Sequence, residues 1–326
     1  MVTFKNITSI LLDPGKRLPR IESLLQEEVW SKERFEKLDL QRYFEDGEKL
    51  IRQAEDVILT GAPQLYDEIV AAAESSPNLL GEFGGVKTAL VILDGASVRE
   101  LPLLLRMAQA TGYLVKEMRY GKAALPSDTL GFVEQRLLGK RLAPSLLESR
   151  KELKDVGITA RYYDTSIRVF DLHGFGDSLL LWSSFPDGTY TNFEARSSGH
   201  FETIMKQFDV AWKNIILSIP RGFRIIITSD HGYAYLNVGF ESEFKAEKAL
   251  EALDNDRYKI FGSTEDLPPE LPELQLVPHR RTAMLRGRVK NKPKGPSSNK
   301  VFRHGGMSLM EMFTPYVVLE HLTNTQ

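Results

Sequence analysis

Two stretches put side chains that can hold a cation directly after apolar runs. Asp94 follows "VKTALVIL", and Asp230 with His231 follows "FRIIITS". Such runs suit strands buried on both faces of a parallel sheet. In open α/β sheets, ligands sit outside the carboxyl ends of the strands. Asp and His are good ligands for divalent cations, and an adjacent pair at the end of a buried strand is costly to leave without partners. Asp94 taken alone reads equally as a turn or cap residue. The chain has no cysteine, so any metal is held by His, Asp or Glu, and disulfides, thiolate zinc sites and cysteine nucleophiles are excluded.

The surrounding pattern supplies elements to carry these residues. From Ile21 to about Ser75 apolar residues recur three and four apart among many charges, which predicts an N-terminal helical portion over residues 1–83. "SSPNLLGEFGG" breaks that periodicity, and an α/β domain is expected over 84–326. Within it, strands are read at "VKTALVIL", "YLVKEMRY", "SIRVFDL", "SLLLWSSF" and "FRIIITSD". Helices are read at "VRELPLLLRMAQATG", "LGFVEQRLLGK" and "HFETIMKQFDVAWKNIILSI". This alternation predicts a mostly parallel sheet with helices on both faces. "GSTEDLPPELPELQLVP" reads as an acidic, proline-rich surface excursion, "TAMLRGRVK" as a strand, and "TPYVVLEHL" as a last strand returning to the sheet.

With 326 residues, 42% of them hydrophobic, the chain can bury a substantial core. The net charge of -2 commits it to no polyanion as a whole, so local patches carry that argument. One stands out: Arg286 to Arg303 holds seven Lys and Arg and no Asp or Glu, and runs directly into His304. The start lacks the features of a signal peptide and no run approaches a membrane span. The expectation is a soluble cytoplasmic protein with no membrane partner.

"VILDGAS", "LPSDT", "TSDHG" and "RHGGMSLMEM" occur in the order seen in PglZ domains, a branch of the alkaline phosphatase superfamily of metallohydrolases, and over roughly Val86 to Leu322 the chain resembles them. The resemblance implies an alkaline phosphatase-like three-layer α/β/α sandwich with a bimetallic site above the sheet. It implies Asp94, Asp230, His231 and His304 as metal ligands, with His200 of "SSGHFE" as a further one. Thr129 of "PSDT" matches the hydroxyl nucleophile and would also meet the metal. Coordination to a cation and the positive end of a following helix would both favour its alkoxide. One or two ions per chain are expected, with zinc suited to this Asp, His and hydroxyl set and manganese almost equally so.

Two departures accompany the resemblance. Members usually carry a metal-binding Asp four residues before the later histidine, where this chain has Arg196, which cannot ligate a cation; either Glu194 or another nearby carboxylate substitutes, or the second metal position is weakened and Arg196 contacts phosphate instead. Members also often carry Arg three residues after the first Asp, where Ser97 stands here and Arg99 follows two further on. His173, His279 and His321 are read as surface or structural, and Arg136 as a solvated helix arginine.

The resemblance implies phosphodiester chemistry on nucleic acid or oligonucleotides, often in bacterial anti-phage defence or signalling, with Thr129 as nucleophile. Arg303, at the end of the basic stretch, is expected with Arg196 to contact substrate. Two alternatives share the sequence: a phosphomonoesterase, and a catalytically degenerate scaffold whose protein partners dock on the N-terminal helices.

Overall fold

The computed structural model describes residues 14–164, 172, 175–191, 199–293 and 300–321. Six strands form the central sheet: β1 (Thr88–Leu93), β2 (Tyr113–Lys122), β3 (Thr159–Tyr163), β4 (Ser178–Ser183), β5 (Arg224–Thr228) and, late in the chain, a strand over Phe313–His321. From one edge to the other the order is β2, the late strand, β5, β1, β4, β3. β5, β1, β4 and β3 run parallel, and the late strand is antiparallel to both of its neighbours. The sheet is therefore mostly parallel, in a mixed α/β fold.

Alternation along the strands explains why there are two cores. Ala89, Val91 and Leu93 of β1 face one apolar cluster, while Leu90 and Ile92 face another. Leu179 and Leu181 of β4 go with the first set, and Leu180 and Trp182 with the second. Every residue of β1 is buried, as a strand covered on both faces requires. The second core is filled by residues such as Phe132, Leu137, Leu147 and Leu153 from short helical segments.

Helices α1 (Arg17–Ser23), α2 (Leu40–Gly61), α3 (Gln64–Glu74), α4 (Leu101–Ala110) and, later, α5 (Thr129–Val133) and α6 (Gly199–Ala211) pack around the sheet. Ile21, Phe44, Ile51, Ile58 and Ile69 from the first three belong to the same core as β1, so the apolar faces of the N-terminal helices are buried against the sheet side of the molecule. On α2 the buried stripe Phe44, Glu48, Ile51, Glu55, Ile58 keeps helical spacing but includes two carboxylates. Glu48 sits between two buried guanidiniums, those of Arg99 and Arg288, and Glu55 pairs with Arg288 at 2.9 Å. Arg99 also donates to Ser97 Oγ at 3.1 Å and to the carbonyl of Tyr233.

Three sequence expectations change here. Arg136 is not solvated: it is buried and donates to the carbonyls of Ala73 and Ser76, closing the C-terminal end of α3, whose last carbonyls have no partner within the helix. The acidic, proline-rich excursion contributes a strand, β8 (Leu274–Val277), which pairs with β9 (Thr282–Leu285). With β7 (Tyr258–Ile260) they form a small antiparallel sheet over its own apolar cluster. The basic stretch is partly internal, because Arg288 lies in the ion pairs just described, Arg286 donates to Gln275, and Lys290 pairs with Glu241. A two-stranded ladder of β6 (Ala234–Tyr235) and β10 (Phe302–Arg303) carries the chain into His304, and the late strand is β11. The expected strand at "SIRVFDL", apart from Leu172, lies outside the described residues, as do Arg196 and His173. Among the described residues no helix is long and apolar enough to cross a membrane.

Candidate metal centre

Register brings the strand ends together. Leu93 of β1 is paired with Ser183 of β4, and Ile92 with Thr228 of β5, so three adjacent parallel strands end level with one another. Asp94, Asp187 and Asp230 leave these three ends. Asp187 is tied to its neighbour by its amide, which donates to the Asp94 carbonyl at 2.8 Å.

Thr129 and His304 arrive from loops sewn to each other. Ser127 Oγ donates to the Gly306 carbonyl at 2.8 Å and accepts from the Gly305 amide at 3.0 Å. Asp128 caps α5 by accepting from the Gly131 amide at 2.6 Å and is held from outside by Arg141 and Tyr258. Thr129 is thereby the first residue of its helix. The His304 loop is fixed by Glu311, which accepts from the amides of Gly306 and Ser308 and forms a buried two-point pair with Arg257.

Within the site, Thr129 Oγ1 donates to Asp230 Oδ2 at 2.8 Å and lies 3.4 Å from His231 Nε2. His231 Nε2 is 3.5 Å from Asp230 Oδ2 and 3.8 Å from Asp94 Oδ1. Asp230 is locked by the amides of Gly95 and His231, both of which reach Oδ1. Asp94 Oδ2 accepts from Trp182 Nε1 at 3.1 Å, while Asp94 Oδ1 is buried and has no hydrogen-bond partner. A Cβ on Gly232 would come within 2.2 Å of the Met310 carbonyl, so only glycine lets the strand turn this tightly after His231. Among the described residues two groups could hold a metal ion: Asp94, Asp230 and His231, and Asp187, His231 and His304.

Charge and donor chemistry agree with a divalent cation. Burial, with the charges of Asp230 and Asp187 adding to it, holds the Asp94 carboxyl well above the usual carboxylate range. Burial pushes Asp187 up to about 6, opposed by His304 and reinforced by Asp230. Burial also lowers His304, as does the neighbouring His231, which keeps its imidazole neutral and able to ligate. Two buried carboxylates, one with an orphaned oxygen, and a third partly exposed carboxylate beside them are what a cation relieves. Tetrahedral ligands about 2.1 Å from an ion stand roughly 3.4 Å apart, and most of the separations around His231 Nε2 fall near that. Oxygen and imidazole donors without thiolate suit zinc or manganese.

Asp187 escaped the sequence reading, although it lies shortly after the strand "SLLLWS" and obeys the same strand-end rule that marked Asp94. His200 is placed by α6 with Nε2 2.7 Å from the Thr189 carbonyl, and it belongs to neither metal group. Arg303 is buried in β10, its guanidinium pushed down to about 10 by burial. Arg99, instead of facing the site, holds the Tyr233 carbonyl two residues beyond His231.

Two measurements probe this arrangement. Trp182→Phe removes the donor to Asp94 Oδ2 with little loss of ring volume, and metal affinity is expected to fall about 10- to 100-fold in an equilibrium dialysis titration. The second concerns pH. Asp187 has a folded value raised above the ordinary value of about 3.9, so the unfolded chain releases this proton first. Its contribution to stability is fully present below about pH 4 and is lost as pH rises to about 6. The metal-free protein should therefore show a falling denaturant midpoint across that window, flattened in Asp187→Asn. With metal present the proton competes, and affinity should weaken as pH drops through about 6.

No family model and no curated protein matches the chain. Among solved structures, it is similar to murine ectonucleotide pyrophosphatase / phosphodiesterase 5, with 12% identity and a TM-score of 0.46 over 71% of this chain and 87% of the other. It is also similar to phosphonoacetate hydrolase from Sinorhizobium meliloti 1021, with 10% identity and a TM-score of 0.41 over 74% of this chain and 92% of the other.

Proposed function

We propose that the protein is a divalent-metal-dependent phosphodiesterase that cleaves nucleic acid or oligonucleotides through Thr129. The observation that carries this reading is the convergence of Thr129 Oγ1, Asp230 Oδ2, His231 Nε2 and the unpartnered Asp94 Oδ1 at one point, where Thr129 is partly exposed and the other three residues are buried. A hydroxyl beside two carboxylates and an imidazole has little use in a core. Its position at the first residue of a helix, partly exposed and above strand ends, supports a role in attack on a bound phosphoryl group.

Asp94, Asp230, His231 and Thr129 would hold one cation, and Asp187 with His304 a second. When bound, such cations favour the alkoxide of Thr129 and offset charge on the phosphoryl oxygens. Asp230 Oδ2 accepts the hydrogen bond of the hydroxyl and orients Oγ1, and the hydroxyl proton passes to solvent as the alkoxide forms. The Oγ1–P bond forms as the ester P–O bond breaks, and the departing alkoxide takes a proton from solvent. Water then hydrolyses the phosphothreonine, which restores the hydroxyl and releases a phosphomonoester. The resemblance to PglZ domains and Lys300, whose charge acts on Asp187, support a phosphodiester of nucleic acid as substrate.

Hydrolysis of bis-nitrophenyl phosphate is expected to exceed that of mononitrophenyl phosphate, to vanish on chelation and to return with manganese or zinc. A faster monoester would replace the reading by a phosphomonoesterase. Metal bound without turnover of either would leave a binding role.

A further inference from the structure

The imidazoles of His231 and His304 are stacked, with ring centroids 4.0 Å apart and planes 8° from parallel. An imidazole binds a cation along a lone pair that lies in its own ring plane. Two face-to-face rings therefore point parallel lone pairs past each other, and no single ion lies in both planes. A carbonyl only accepts, so His231 Nδ1, 3.1 Å from the Gly232 carbonyl, carries the ring proton and donates it. That leaves Nε2 as its one lone pair, already among Asp94, Asp230 and Thr129. His304 Nδ1 faces the Ser127 carbonyl at 3.3 Å in the same way.

The two clusters that share His231 are thus unequal. One gathers four protein donors: Asp94 Oδ1, Asp230 Oδ2, Thr129 Oγ1 and His231 Nε2. The other, once His231 is assigned, keeps Asp187 and His304 among the described residues. His200, the expected further ligand, bonds the Thr189 carbonyl instead. Asp187 and His304 are also partly exposed, whereas Asp94, Asp230 and His231 are buried.

We infer that this chain holds one divalent cation tightly and captures a second at Asp187 and His304 only together with a phosphoryl group. Cations with few protein ligands commonly complete their shell with water and substrate phosphate oxygens. Because the two rings are stacked with centroids 4.0 Å apart, an ion held by His304 would lie close to one held by His231, as paired catalytic ions do. Metal availability would then gate the site through its weaker half. The inference rests on the metal-site reading above and does not require that the substrate be a diester.

Manganese(II) counted by equilibrium dialysis, with and without millimolar inorganic phosphate, tests it. The expected result is one ion per chain without phosphate and two with it, the second bound on the order of 10- to 100-fold more weakly when phosphate is absent. Asp187→Asn should keep the first ion and lose the phosphate-dependent one, whereas Asp94→Asn should lose the first. A circular-dichroism melt verifies that both variants are folded. Two ions of equal affinity without phosphate would overturn the inference, as would loss of the tight ion in Asp187→Asn. Retention of the second ion in Asp187→Asn combined with its loss in His200→Ala or Glu194→Gln would overturn it too. Because counting ions needs no turnover, one-then-two binding in a protein that hydrolyses no phosphoester would sink the proposed activity and leave this inference standing.

Discussion

Thr129→Ala is expected to lose hydrolysis of bis-nitrophenyl phosphate by about 10³-fold or more while remaining folded. The size follows from the role: without Oγ1 there is no covalent route, and only water attacking directly would remain. The threonine lies at the start of α5, where Asp128 caps the helix and Ser127 ties the loop to Gly306, so alanine removes the hydroxyl and leaves its scaffold. Three of the four donors of the tighter cluster also remain, so a metal should still bind. Thr129→Ser, which keeps a hydroxyl, should retain measurable turnover. A phosphothreonine trapped by acid quench from the wild type and absent from Thr129→Ala would be the direct signature. Equal turnover in wild type and Thr129→Ala would remove the nucleophile from the proposal and point to a water attack at the same centre.

Glu48→Ala should lower stability by about 3–5 kcal/mol, read as a shift in urea midpoint. The carboxylate is fully buried between two buried guanidiniums, and the other hydrogen bonds of Arg99 go to neutral acceptors, the hydroxyl of Ser97 and the carbonyl of Tyr233. Truncation leaves that charge in the core without compensation, whereas the pair as a unit adds little over a well-packed apolar pair. Replacing Glu48 and Arg99 together by Leu and Met should therefore recover part of the loss. Metal affinity is the second readout, because Arg99 holds the carbonyl of Tyr233 just beyond His231. A Glu48→Ala midpoint within about 1 kcal/mol of wild type would show that Arg99 finds water or another partner.

The parts legible in the sequence were those encoded locally. Apolar runs ending in Asp94 and in Asp230-His231 are strands whose carboxyl ends the register sets side by side. Thr129 and His304 came from short motifs, and the structure brings both to the same point. What could not be read was set by distant partners. Asp187 is a metal-site candidate only because β4 is the neighbour of β1, a fact of strand order that no local pattern carries. Arg136 follows a helical spacing that suits a surface arginine, yet its guanidinium reaches the open end of another helix. Arg288 counted as one more cation in a basic run, but two glutamates far earlier in the chain, Glu48 and Glu55, take it into the core. Charge type predicted exposure, and pairing overrode it. His200 sits where the motif puts it, but its ring is turned to a backbone carbonyl.

The position of β11 bears on how the protein comes into being. Although it is the last strand among the described residues, it lies inside the sheet, between β2 and β5. During synthesis the earlier strands emerge with a gap between them that only residues 313–321 can fill, and until then β2 and β5 each present an unpaired edge. The loop bearing His304 and the Glu311–Arg257 pair stands immediately ahead of this strand. Assembly of the candidate metal centre is thus coupled to the closing of the sheet, and a nascent chain halted before β11 should be a target for chaperones and lack the finished arrangement of candidate ligands.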